Sequence, residues 1–252
     1  MTVGRTGGER PLDGRVAFVA GASRGIGRNI AVALAEAGAS VVVAARSEVE
    51  GKVPGTIHGV AEQIRDAGGD ALPMVCDVTS EESVAAAVEA AVDHYGGLDV
   101  LVANAGVMWL APTVETPLKR WDLCLRVNLT GVFLVTRACL PHVRDGGSLI
   151  AITTTGVRMT DLGSNAYWVA KAGVERLYVG LASELRERRV AVNCLAPSKV
   201  VLTEGWEAGG GWEIPDDQVE PPEAMGAAAV LLASQQDAGI TGTVQYSLDL
   251  AG

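Results

Sequence analysis

Tyr167 and Lys171 stand four residues apart in a segment, 165–188, whose apolar periodicity predicts a long helix. At that spacing two side chains share one helix face. The pair suits proton transfer. A free phenol titrates near ~10 and is a poor base at neutral pH. An ammonium beside it favours the phenolate and lowers that value. Hydride transfer to a carbonyl needs a proton for the alkoxide that forms, and the reverse reaction needs a base. Thr154 ends a predicted strand, 148–154, and carries a hydroxyl suited to bonding a substrate oxygen. Its β-methyl stiffens χ1. The bland alternative for Thr154 is a strand threonine that satisfies its own backbone.

A second cluster sits near the N-terminus: Gly21, Ala22, Ser23, Arg24, Gly25, Ile26 and Gly27. It closes an apolar strand, 16–20, and opens an Ala-rich helix, 26–37. In that context glycines cradle a pyrophosphate: Gly21 for a tight turn, Gly25 for close backbone approach, Gly27 for helix–strand packing. The helix N-terminus supplies free N–H groups and positive potential. No Lys precedes Ser23, which disfavours a nucleotide-hydrolysing loop.

The end of the second strand chooses between nicotinamide cofactors. An acid there grips ribose hydroxyls, and a base accommodates a 2′-phosphate. Strand 40–45 is followed by Arg46 and Ser47, with no carboxylate before Glu48. Arg46, with Arg24 joining it, favours NADP(H) over NAD(H), because a guanidinium fork suits a phosphate. The alternative for Arg46 is a solvated charge at a strand end.

These residues need a scaffold. The chain has 252 residues, 48% of them hydrophobic and 4% aromatic, so its core is Ala, Val, Leu and Ile. Further strands are expected at 71–76, 98–103, 190–196 and 243–248, and helices at 59–67, from Thr79 or Ser80 to 95, in 118–143 and at 222–233. Non-alternating apolar strands between helices predict one doubly wound, Rossmann-like α/β domain. It has a parallel seven-stranded sheet covered on both faces and spans 11–252 after a frayed tail, 1–10. Residues 201–220 have weak periodicity and read as a binding lid or a plain surface loop.

The formal net charge of −10 argues against nucleic-acid and anionic-membrane partners. The polar N-terminus lacks a signal-like apolar segment, and no apolar run approaches the ~20 residues of a membrane span, so a cytoplasmic location is expected. Cys76, Cys124, Cys139 and Cys194 are scattered and read as small core residues. No metal-ligand spacing is present in the sequence.

Taken in order, the glycine turn, Asp77-Val78, Asn104-Ala105-Gly106, Asn128, Tyr167 with Lys171, Val192-Asn193, Ala196-Pro197 and Ile240-Thr241-Gly242 resemble the short-chain dehydrogenase/reductase family from about Gly14 to Gly252. Pro54 to His58 also resemble members described as hydroxysteroid-dehydrogenase-like. The resemblance implies that Asp77 and Val78 flank the adenine and that Asn104, Ala105 and Gly106 line the cofactor. It implies that Pro197, Ser198 and Val200 lie on the nicotinamide side, that Lys171 holds the nicotinamide ribose, and that Asn128 steadies a water leading from Lys171 to solvent. It implies a homo-oligomer, a dimer or tetramer. Departures are Ala20 where a Thr is usual, Ser198 where a Gly is usual, and Thr154 in place of the catalytic serine.

The function expected is an NADP(H)-dependent oxidoreductase acting on a secondary alcohol or ketone, with Tyr167 as general acid/base. The small-molecule substrate is expected to be apolar and fairly bulky, from Met108, Trp109, Met159, Trp206 and Trp212. The competing expectation is a catalytically silent dinucleotide-binding sensor or interaction protein on the same fold. A sugar-nucleotide epimerase or dehydratase would need a longer substrate domain than the chain has after Lys171.

Overall fold

The computed structural model describes residues 10–159, 163–208, 213–235 and 239–251. β1 (Val16–Ala20), β2 (Ser40–Ala45) and β3 (Asp70–Val75) alternate with α1 (Gly25–Glu36) and α2 (Ile57–Asp66). α3 (Glu81–Tyr95) leads to β4 (Leu98–Ala103), then α4 (Leu118–Leu125) and α5 (Gly131–Cys139). β5 (Val143–Ile152), α6 (Asn165–Glu184) and β6 (Ala191–Ala196) follow. α7 (Glu204–Ala208), α8 (Pro222–Ala233), β7 (Val244–Tyr246) and α9 (Ser247–Ala251) complete the described chain.

The seven strands form one parallel sheet in the order β3-β2-β1-β4-β5-β6-β7. β1 and β6 are buried along their whole length because helices cover both faces. The strand period of two divides the core. Ala17 and Val19 face the layer that holds Ile30, Leu34 and Leu232. Val16 and Phe18 face the layer that holds Val84, Val135 and Tyr178. Strand order reverses between β1 and β4, which opens a crevice at the carboxyl ends of these strands.

Local chemistry moves several boundaries. α2 begins at Ile57, ahead of the expected 59, because the Thr56 hydroxyl accepts from the Gly59 N–H at 3.0 Å and caps it. Ser80, not Thr79, caps α3. β5 starts early, at Val143, with an irregularity in its pairing to β4, and stops at Ile152, so Thr153 and Thr154 have left the strand. The last strand ends at Tyr246 rather than 248. Ser247 turns inward to Ser198 and Glu220 and starts a short helix.

Leu118–His142 is one continuous helical path, including a π turn at Arg126–Thr130. It is long and apolar enough on average to cross a bilayer, although charged and polar residues interrupt every apolar run within it. Half of its most apolar window is buried inside the protein, against neighbouring helices and the sheet, which accounts for its apolar residues.

Candidate active site

A cleft of about 1360 Å³ opens at the strand carboxyl ends. The glycine turn, Arg46 and Asp77 line it together with Thr154, Tyr167 and Lys171. Every expected site residue lies on its wall except Gly27 and Asn128. The volume exceeds the ~300–1,000 Å³ common for drug-sized ligands and suits a dinucleotide with a second molecule.

The turn is built for close backbone approach. Gly21 has φ +82°, and a Cβ there would lie 2.6 Å from the Ala105 backbone. A Cβ on Gly27 would lie 2.2 Å from the Gly21 carbonyl oxygen, so Gly27 works by packing rather than by facing the cleft. Asn104 Nδ2 donates to that same carbonyl at 2.8 Å and ties the end of β4 to the turn. This cradle, with the N-terminus of α1 behind it, fits the pyrophosphate of a dinucleotide. Glu204 of α7 now reaches it: its Oε2 accepts from the Gly25 N–H at 3.0 Å, and Oε1 lies 3.8 Å from Arg28.

The two arginines differ. Arg46 is exposed on the cleft wall. Arg24 also lines the cleft, but its guanidinium donates to the Pro54 and Gly55 carbonyls and to the Ser47 hydroxyl. Arg24 thereby braces the loop after β2, while Arg46 stands exposed on the cleft wall. Asp77 accepts from the Thr79 N–H and hydroxyl at 2.9 and 2.8 Å. Burial alone would raise its carboxyl, but these donors and the Arg46 charge hold it below its ordinary value.

At the other end, Lys171 is buried, and its Nζ donates to the Ile152 carbonyl at 2.7 Å. Burial pushes its ammonium down to about 8. The Nζ lies 5.6 Å from the centre of the Tyr167 ring. Tyr167 departs from expectation: burial, with a smaller push from Cys124, raises the phenol to about 12. Desolvation disfavours the phenolate, so the group is held as a protonated phenol. Thr154 Oγ1 accepts from the Gly156 N–H at 3.1 Å and caps the turn Thr155–Arg158. Its own O–H remains a donor on the cleft wall.

The Asn128 side chain bonds to protein. It is fully buried in the π turn. Its Nδ2 donates to the Val107 and Cys124 carbonyls, and its Oδ1 accepts from the Val107 N–H. With both donors used on protein, this side chain positions the loop after β4.

Several residues escaped the sequence reading. Glu220 is buried and accepts from the backbone N–H groups of Ser198 and Lys199 and from the Ser247 hydroxyl. It fixes the loop that carries Pro197. The Ser198 hydroxyl accepts from the Leu248 N–H, which gives that departure from the family a structural reason. Val200 bridges Val219, so 201–220 is pinned at both ends, although Trp212 lies outside the described residues. Glu175 pairs with Arg158 and accepts from Thr153 just beyond the end of β5. α4 supplies a wall of Arg120, Leu123 and Cys124. Acids inside weakly periodic or helical stretches gave no sequence signal beyond their own type.

The family model "short chain dehydrogenase" matches residues 15–211. The hydroxysteroid dehydrogenase-like protein 2 of Xenopus tropicalis is 38% identical over 229 residues, covering 89% of this chain and 54% of that protein. The human protein of that name is 38% identical over 205 residues, covering 79% and 49%. The chain thus spans about half the length of the curated relatives it matches. Among solved structures, a putative dehydrogenase from Xanthomonas campestris superposes with TM-score 0.86 at 36% identity, covering 95% and 89%. A short-chain type dehydrogenase/reductase from Mycobacterium marinum gives 0.85 at 30%, covering 94% and 95%. On fold, motif order and these matches, the chain belongs to the short-chain dehydrogenase/reductase family.

Proposed function

We propose that this protein is an NADP(H)-dependent oxidoreductase that interconverts a ketone and a secondary alcohol, with Tyr167 as the general acid/base. One observation carries the reading: Tyr167, Thr154 and Lys171 line the same cleft as the glycine cradle. When bound, a reduced nicotinamide supplies the hydride to the carbonyl carbon. Tyr167, held as a phenol, donates its proton to the carbonyl oxygen. The Thr154 hydroxyl donates to that oxygen as charge develops. Lys171 holds the ribose and keeps positive charge beside the phenolate that remains. Arg46 receives the 2′-phosphate. The active form is a homo-oligomer. In support, Leu118, Phe133, Val169 and Val179 expose apolar surface on α4, α5 and α6.

The test follows nicotinamide absorbance with NADPH and a carbonyl panel. A steroid ketone belongs in the panel, given the name of the relatives. Tyr167→Phe is expected to lose roughly 10²- to 10⁴-fold in kcat while still binding NADPH. Unchanged turnover in that variant sinks the assignment, and no wild-type turnover on any panel member favours a binding-only protein. Arg46→Ala is expected to weaken NADPH by roughly ten- to a hundredfold and NADH far less. Equal loss for both cofactors, measured by titration, removes Arg46 from that role.

A further inference from the structure

The substrate end of the cleft holds a cation that the proton-transfer chemistry does not use. Arg120, Leu123, Cys124 and Val127 line it along one side of the helical path. Arg120 and Cys124 lie one turn apart and share a face. The Cys124 thiol is close enough to Tyr167 to push its phenol up, and Arg120 acts in turn on Cys124. Arg120 therefore stands one helical turn from a residue that adjoins the reacting phenol.

Arg120 is half-buried, and its guanidinium lies 4.5 Å over the centre of the Trp109 ring. Stacking of that kind fixes the plane of the group and leaves its edge donors free. Among the described residues no carboxylate forms an ion pair with Arg120. Arg15, Arg46, Arg65 and Arg126 likewise form none. Arg28, Arg137, Arg144, Arg158 and Arg188 each have an acid. The Trp109 indole N–H is sealed from solvent and has no acceptor, so the guanidinium is the donor this wall offers. The same cleft presents the apolar Met108, Leu123, Val127, Met159 and Trp206, with Lys199 and Asp217 as further charged residues on its wall.

A guanidinium stacked on Trp109 with no carboxylate partner, on a helix face of largely apolar residues, matches one monoanion. A carboxylate takes two parallel N–H donors from it. A phosphate dianion would keep an uncompensated charge in the same surroundings. We infer that the substrate is a carboxylate-bearing ketone or secondary alcohol, held by Arg120 at its acid end while Tyr167 meets its oxygen. The inference rests on the oxidoreductase reading and replaces a purely apolar substrate with an amphipathic one. Arg120 acts on specificity through the carboxylate and takes no part in proton transfer.

The experiment compares straight-chain keto acids of increasing length, levulinate and its longer homologues, each with its own methyl ester. For at least one length, wild-type kcat/KM should favour the acid by roughly ten- to a hundredfold. Arg120→Met should bring the acid-to-ester ratio down towards one, and Arg120→Lys should keep part of the preference. In parallel, calorimetric titration of the same acids into NADPH-loaded Tyr167→Phe should show binding that Arg120→Met, added to that variant, abolishes. An acid-to-ester ratio that Arg120→Met leaves unchanged at every length overturns the inference, whatever the turnover. Arg120-dependent acid binding without wild-type turnover keeps the anion site and discards the oxidoreductase reading instead. Turnover of esters alone, with no Arg120-dependent acid binding, does the reverse.

Discussion

Lys171 shows what the site asks of a single residue. Its ammonium is pushed down to about 8 by burial, whereas an unfolded chain keeps the proton to about 10.4. Between these values the unfolded state binds more protons, so stability rises with pH across that window. Below it the charged form is penalised by about 3 kcal/mol, from the size of that displacement. Cofactor-free Lys171→Met is therefore expected to be more stable than wild type at neutral pH. Its advantage should shrink between pH 8 and 10.5. Urea unfolding at several pH values checks this, and a difference that stays constant across the window contradicts it. At Thr154 the oxygen already accepts from Gly156, which leaves the O–H as the useful feature. Thr154→Ser should keep activity, and Thr154→Val should lose most of it. The valine variant also loses the cap, at about 1 kcal/mol, so kcat must be compared at matched folded fraction.

The elements flanking the cleft work through two carboxylates. Glu220 gathers two backbone N–H groups and a hydroxyl where the loop after β6 meets α9. Glu220→Ala leaves the Lys199 N–H without its acceptor, while the Ser198 N–H and the Ser247 hydroxyl keep only each other's oxygens, and should destabilise the protein by about 1–3 kcal/mol. It should also weaken cofactor binding by loosening the loop of Pro197. Wild-type cofactor affinity in that variant would show that the loop is held by other contacts. Glu204 places its charge on the N-terminus of α1, where the pyrophosphate is expected. The carboxylate must leave as the phosphates arrive, and it repels them on the way. Glu204→Gln should bind NADPH more tightly, by a factor of roughly two to five, from the usual worth of a charge at a helix end. Fluorescence titration that finds weaker binding would mean that Glu204 supports the bound state.

At the scale of the whole molecule, the cofactor and a second subunit should both stabilise the fold. NADPH at 100 times its Kd adds about 2.7 kcal/mol, worth roughly 5–10 °C in Tm for a domain of this size. A Tm unmoved by saturating NADPH would argue that the cleft does not take the cofactor. Phe133 and Val179 sit exposed on α5 and α6, at 43% each. Light scattering should give the mass of a dimer or tetramer, and Phe133→Asp combined with Val179→Asp should lower it. A wild-type monomer at working concentration would assign that apolar surface to something other than self-association.

The strands and the glycine turn were legible in the sequence because they rest on local rules. Buried parallel strands read as continuous apolar runs, and β1, β2 and β4 fall where their residues place them. The turn could be read from spacing because a Cβ at Gly21 or Gly27 would collide with backbone. Tyr167 and Lys171 share a face by helical geometry alone. Tertiary structure decided what depends on neighbours distant in the chain. Burial sets the state of the Tyr167 phenol. The carbonyls of residues 54 and 55 engage Arg24, and those of Val107 and Cys124 take both N–H donors of the Asn128 side chain. Glu220 becomes an anchor only when β6 and α9 meet around it. Arg120 enters the cleft because α4 packs beside α6, a contact that no residue pattern along the chain encodes. The sequence by itself determined the fold and the shared face of Tyr167 and Lys171, since both follow from short-range periodicity and sterics. Desolvation and long-range partners, which exist only in the folded chain, decided how each charge is held.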